Sequence, residues 1–216
     1  MKNFRKIGAF SAFYLSAAYI IGMVIFIFAF DYLNIDPSQK LIVLINNQAL
    51  AYFTNLILYI FFGFFLIILI LSLYNRFKNK SPIIMQIFAV IGIIWAGLLI
   101  SSGLVANAGI NPTAELFQKD PEQAQFFWLQ IETVANGLSC VTGEILGGLM
   151  TILLSIAGIC GHFLRKSLNY YGVLVGGVGI ITIIPVLHNL GGVFGITQLI
   201  WFIWLGVLLL KSKEVD

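Results

Sequence analysis

The feature that most constrains this chain is the recurrence of apolar runs about as long as a bilayer is thick. A hydrocarbon core of about 30 Å is crossed by roughly 20 helical residues. Six stretches meet that need, near 7–30, 50–73, 82–106, 141–163, 169–188 and 195–210. Strands of a membrane barrel would alternate apolar and polar side chains over about ten residues. The runs here are continuous, as in "FFGFFLIILI" and "GVLVGGVGIITII". The expected fold is therefore all-α: a polytopic six-helix transmembrane bundle forming one integral membrane domain over 1–216. Only 10% of the residues are charged, against about 25% in soluble domains. The longest polar stretch, 107–125, leaves no room for a separate soluble domain.

The opening "MKNFRKIGAFSAFYLSAAYIIGMVIFIFAF" has the basic head and apolar body of a signal peptide. Its apolar part, about 24 residues, exceeds the 7–15 of a signal core, so it reads as an uncleaved first span. Orientation follows from the excess of Lys and Arg on cytoplasmic loops. Lys2, Arg5, Lys6, Arg76, Lys78, Lys80, Arg165, Lys166, Lys211 and Lys213 all fall on one side of the six-span arrangement. Lys40 and Lys119 fall on the other, with Asp31, Asp36, Glu115, Asp120 and Glu122. Both termini are expected in the cytoplasm. The basic clusters act as topology markers, and no nucleic-acid partner is expected.

Local signals set the boundaries. Ser81 and Pro82 read as the N-cap and first residue of a helix. Asp120–Pro121 starts another, with Gln123 completing a capping pattern. A straight helix from there to His162 would be roughly 63 Å long at 1.5 Å per residue. A break is therefore expected near Asn136–Gly137, with the first part an extra amphipathic helix lying on or projecting from the outer side. Trp128 would then belong to the interfacial aromatic belt and Glu132 would be exposed.

The fourth span has a small and weakly polar stripe: Glu144, Gly147, Gly148, Thr151, Ser155, Gly158 and His162 recur at three- and four-residue steps. Leu146, Leu149, Leu153 and Ile156 form the opposite face, continued by Cys160. Such stripes let helices approach closely, and Gly172, Gly176 and Gly177 of the fifth span offer the same. Pro185 should bend that span just before His188. The two spans are expected to pack tightly near the cytoplasm and splay apart outside.

The strongly polar groups of the spans collect towards the outer side, and a carboxylate at the hydrocarbon edge is costly unless paired. The candidate site is an outward-open polar pocket in which Glu144 meets His188, with Asn107, Asn189 and Gln198 supplying further hydrogen bonds. The ordinary alternative is that Glu144 and His188 reach into the headgroups. Gly191, Gly192 and Gly195 would turn the chain into the last span.

Enzymatic readings are weaker. "HNLGGVFG" fits the H-x-x-G-x-x-x-G pattern of rhomboid-like serine proteases, and "GLSC" partly resembles their G-x-S-G with Ser139 as nucleophile. Cys140 replaces the second glycine, however, and no H-x-x-x-N stands in the second span. A membrane-embedded hydrolase using His188 with Ser139 or Glu144 is thus the alternative to a non-enzymatic bundle. Two histidines at opposite depths and two distant cysteines suggest no haem, no metal centre and no other cofactor. The expected partners are membrane lipids and a small apolar or lipid ligand, and self-association stays open.

"LILSLYNRFKNKSPIIMQIFAVIGIIWAG" and "GEILGGLMTILLSIAGICGHFLRKSLNYYGVLVGGVGI" resemble the core of a bacterial family of small multi-span integral membrane proteins known only as a domain of unknown function. The shared features are a span ending in Leu-Tyr plus basic residues, and a Gly-rich span ending in Leu-Arg. Tyr170–Tyr171–Gly172 stands here where such proteins often carry Pro-Arg-x-Leu-Gly. The resemblance implies a bacterial cytoplasmic membrane and brings no activity with it.

Overall fold

The computed structural model of the chain describes residues 2–30, 39–139 and 144–211, which are all-α. Helix α1 (Lys2–Val24) runs into a π-helical turn (Ile25–Ala29), where the Phe30 N–H donates to Ile25 O at 3.0 Å. A short α2 (Lys40–Asn46) precedes α3 (Gln48–Asn55), which passes through a second π turn (Leu56–Phe61) into α4 (Phe62–Phe77). Then come α5 (Pro82–Lys119), α6 (Pro121–Ser139), α7 (Ile145–Cys160), α8 (Lys166–Ile181), a 3-10 segment (Pro185–Leu190) and α9 (Gly191–Lys211). Continuous helix is the answer of an apolar chain to backbone polar groups that lipid cannot hydrogen-bond.

Among the described residues, four helical stretches are long and apolar enough to cross a membrane: Phe4–Ala29, Gln48–Phe77, Pro82–Lys119 and Pro185–Lys211. The helices α7 and α8 have 16 residues each, about 24 Å at 1.5 Å per residue, and fall short of that length.

Boundaries in three regions differ from the sequence expectation. Helix α5 does not stop near 106 but continues through Pro112 to Lys119. A proline inside a helix loses one backbone hydrogen bond; here α6 runs antiparallel along the same stretch and holds it. Ser102 Oγ donates to Ala135 O at 2.8 Å, and Ile131 packs on Gly109, where a Cβ would come within 2.5 Å of it. Helix α6 begins as expected, with Asp120 Oδ1 accepting the Gln123 N–H at 3.0 Å. It runs past Asn136–Gly137 to Ser139, so no break falls there, and the next described helix starts at Ile145.

The second difference is at Pro185. Helix α8 already ends at Ile181, because the residue before a proline is pushed out of the helical region; Ile184 is extended at ψ 119. His188 therefore lies in the 3-10 segment and not at the end of a bent helix. The third is that Gly191, Gly192 and Gly195 belong to α9 itself and do not form the turn before it.

The helix ends sort by charge. Ser72 Oγ donates to Phe4 O at 2.9 Å, joining the start of α1 to the end of α4. Phe77 stacks on Phe163 at 4.1 Å, bringing in the α7–α8 loop. Arg5, Lys6, Arg76, Lys78, Lys80, Arg165, Lys166 and Lys211 thus gather at one end, where no described residue is acidic. The opposite end carries Glu115, Asp120, Glu122, Glu132 and Glu144 against Lys40 and Lys119.

Between the ends lies one apolar core. Phe62 meets Trp95 at 6.0 Å and Phe202 at 6.4 Å, and Trp201 meets Phe202 at 5.4 Å, all at the steep angles that aromatic quadrupoles favour. Leu66, Ile70, Met150, Leu154 and Leu205 fill the space around them.

The small-residue stripe of α7 faces α8 and the core as its periodicity predicts. Gly147, Gly148, Thr151, Ser155 and Gly158 are buried, while Ile156 and Cys160 are exposed. Gly148 and Gly176 bring backbone against backbone: a Cβ on Gly148 would come within 2.6 Å of Gly176 O. The expected splay is absent. Thr182 Oγ1 accepts the Glu144 N–H at 2.8 Å at one end of the pair. At the other end, Asn169 Nδ2 donates to Phe163 O at 3.1 Å. The loop there is a Schellman-type cap, with the Phe163 N–H on Gly158 O at 3.0 Å and His162 at φ 53 in the position that usually takes glycine.

Candidate functional site

A cavity of about 470 Å³ opens at the acid-rich end, between the tip of α1, helices α2 and α3, and the α5–α6 hairpin. That is within the range of small-molecule sites, about 300–1,000 Å³. Small side chains make the room: Ala51 of α3, Ala106 of α5 and Ala135 of α6 line it. Large ones form its apolar wall: Phe26, Phe30, Leu44, Tyr59 and Trp128.

Most polar residues of the wall are turned into the protein. Thr54 Oγ1 donates to Leu50 O at 2.7 Å and Ser102 Oγ to Ala135 O. Asn55 Nδ2 donates to Asn107 Oδ1 at 2.9 Å, and Asn107 Nδ2 to Tyr52 O at 3.4 Å. Among the described lining residues, two carry charge. Lys40 is already engaged in an interaction. Glu132, half-buried, has no hydrogen-bond or ion-pair partner among the described residues. Sequence reasoning left Glu132 on an exposed face and Trp128 in a membrane belt. Both line the cavity instead, because α6 lies along α5.

The residues of the expected polar pocket are distributed over three places. Asn107 joins Asn55 beside the cavity. Gln198 is fully buried and pairs with Thr151 across α7 and α9: Gln198 Nε2 lies 3.0 Å from Thr151 Oγ1, which lies 3.1 Å from Gln198 Oε1. Glu144 and His188 share a neighbour rather than each other. Thr182 binds the Glu144 N–H through its hydroxyl, and its carbonyl lies 3.2 Å from His188 Nδ1. No ion pair or hydrogen bond joins the Glu144 and His188 side chains. Asn189 is exposed.

Ser139 is buried, and its hydroxyl donates to Asn136 O at 3.3 Å rather than to His188. The nucleophile–base hydrogen bond of a serine hydrolase is therefore absent. Cys140 lies outside the described residues. No group of three His, Cys, Asp or Glu side chains suited to a metal occurs among the described residues.

These features define a class: an apolar helical bundle of membrane-protein type, charged oppositely at its two ends, with a ligand-sized cavity at the acid-rich one. No protein-family model, curated protein or solved structure matches the chain.

Proposed function

We propose that this chain is a six-span integral protein of a bacterial cytoplasmic membrane, with both termini in the cytoplasm, that binds a small apolar or lipid-like ligand from the outer side without transforming it. The observation that carries this is the cavity of about 470 Å³ with aromatic and aliphatic walls. The charge division of the bundle supports the orientation, since the end rich in Lys and Arg is the cytoplasmic one under the positive-inside rule. In this arrangement α7 and α8 are the fourth and fifth spans. Their shortness is met by local thinning of the bilayer. Exposed apolar side chains such as Phe10, Ile83 and Leu174 face lipid.

Two measurements test it. In a variant lacking Cys140 and Cys160, a single cysteine at position 78 should resist an impermeant thiol reagent in intact cells, while one at position 118 should react. Labelling of position 78 from outside would overturn the orientation. Native mass spectrometry of the protein extracted with its lipids should show a bound small molecule that is lost in Ala106→Phe, which fills the cavity. Equal retention by both forms would remove the cavity from the reading.

A further inference from the structure

We infer that the cavity selects a cationic amphiphile, its amine or quaternary ammonium head seated beside Glu132 and its hydrocarbon tail against the aromatic wall. The inference rests on the cavity being a ligand site and names the chemistry of the ligand.

Three observations lead to it. The first is the charge left to a ligand. Of the two charged residues among the described lining, Lys40 is engaged and Glu132 has no partner among the described residues, so the available ionic partner is a carboxylate. A half-buried carboxylate in an apolar wall gains most from an opposite charge brought by the occupant. The second is the wall itself. Trp128, Tyr59, Phe26 and Phe30 line one space, and aromatic rings attract ammonium groups, tryptophan most strongly. The third is the field. This end of the bundle carries Glu115, Asp120, Glu122, Glu132 and Glu144 against Lys40 and Lys119. A mouth of that sign concentrates cations and repels anions before any contact is made.

The neutral remainder of the lining sets the second half of the specificity. The hydroxyls of Thr54 and Ser102 and one amide hydrogen of Asn55 are spent on the protein. A polyhydroxylated ligand such as a sugar would find these three groups already taken. A hydrocarbon tail needs none of them.

The test uses the full chain in nanodiscs of neutral lipid and three amphiphiles that share an eight-carbon tail: octyltrimethylammonium, octanoate and octanol, each below its micelle concentration. Saturable quenching or shift of the tryptophan emission is the readout, with Trp128→Phe to assign it and Ala106→Phe to subtract simple partitioning into lipid. The expected result is binding of the ammonium compound at least about tenfold tighter than either competitor, a difference of about 1.4 kcal/mol. Glu132→Gln, which keeps shape and removes charge, should reduce that preference to about twofold or less while octanol binding stays unchanged. Equal binding of all three, or a preference for octanoate, overturns the charge selection and leaves the cavity reading in place. Absence of any signal that Ala106→Phe abolishes overturns both.

Discussion

The α7–α8 seam and the cavity beside α5 are built from the same material, small residues on facing helices, and end in opposite states. In the seam, Gly148 and Gly176 let two backbones touch, and Thr182 and Asn169 fasten the pair at its two ends. At the cavity, Ala51, Ala106 and Ala135 face a common space that remains open. The difference lies in what fixes the helix axes. The helices α7 and α8 are joined by a short loop and free to close until atoms meet. The walls of the cavity belong to several elements, each committed elsewhere: α6 to α5 through Ser102 and Ile131, α3 to α5 through Asn55 and Asn107. Small residues close a gap only between helices that are otherwise free to approach.

The sharpest way to break this contrast is to add bulk on each side. Gly148→Leu meets backbone atoms that cannot give way and should lower the stability of the detergent-solubilised protein by about 3 kcal/mol or more, at or beyond the upper end of ordinary overpacking. Ala106→Phe enters open space and should change the thermal midpoint by the equivalent of less than about 1 kcal/mol. If both variants unfold at the same temperature, the seam is no tighter than the cavity.

A smaller effect is expected where α9 locks onto the seam helix. Gln198→Leu leaves the buried Thr151 hydroxyl without its side-chain partner, and should cost about 1–2 kcal/mol. The double variant Gln198→Leu with Thr151→Val should recover part of that loss. A cycle with strictly additive losses would mean that the pair contributes no coupling.

His162 sharpens the comparison at the seam's basic end. It holds a left-handed conformation that costs a side-chain-bearing residue roughly 1–2 kcal/mol. His162→Gly should therefore raise stability by about 1 kcal/mol, and a fall in the unfolding midpoint would count against the cap geometry. The smallest effect belongs to Gly177, which sits on α8 with nothing near its missing side chain. Gly177→Ala should gain less than about 1 kcal/mol from helix propensity alone, in contrast to Gly176→Ala one residue away, which should destabilise.

What was legible in the sequence was periodic or local. The stripe of α7 follows from three- and four-residue spacing, and the Asp120 cap from the residues beside it. Depth was legible too, since Asn107, Gln198, Glu144 and His188 all belong to one half of the bundle. Azimuth was not. Span order assigns a residue a height, while the face it presents depends on how each helix is rotated. Gln198 therefore turns inward to Thr151 and Asn107 towards Asn55, and their side chains bond to different partners. The cavity lay beyond reach for the same reason: residues as far apart as Phe26 and Asn136 line it, and no window of sequence holds them together. The course of α5 through Pro112 was hidden because α6, an element not yet placed, supports it.

The π turn at Leu56–Phe61 has a geometric consequence for the whole second span. A wide turn of this kind holds one residue more than an α turn, and each α-helical residue advances the side-chain direction by about 100°. The span is therefore two helices on one axis, set out of phase. Below the turn, Phe62, Leu66, Leu69 and Leu73 face the core; above it, Ala51, Thr54 and Asn55 face the cavity. Tyr14 donates its hydroxyl to Ile57 O at 3.1 Å inside the widened turn. One inserted residue thus acts as a phase shifter. It lets a single helix obey the packing code of the bundle along one half and that of the cavity along the other.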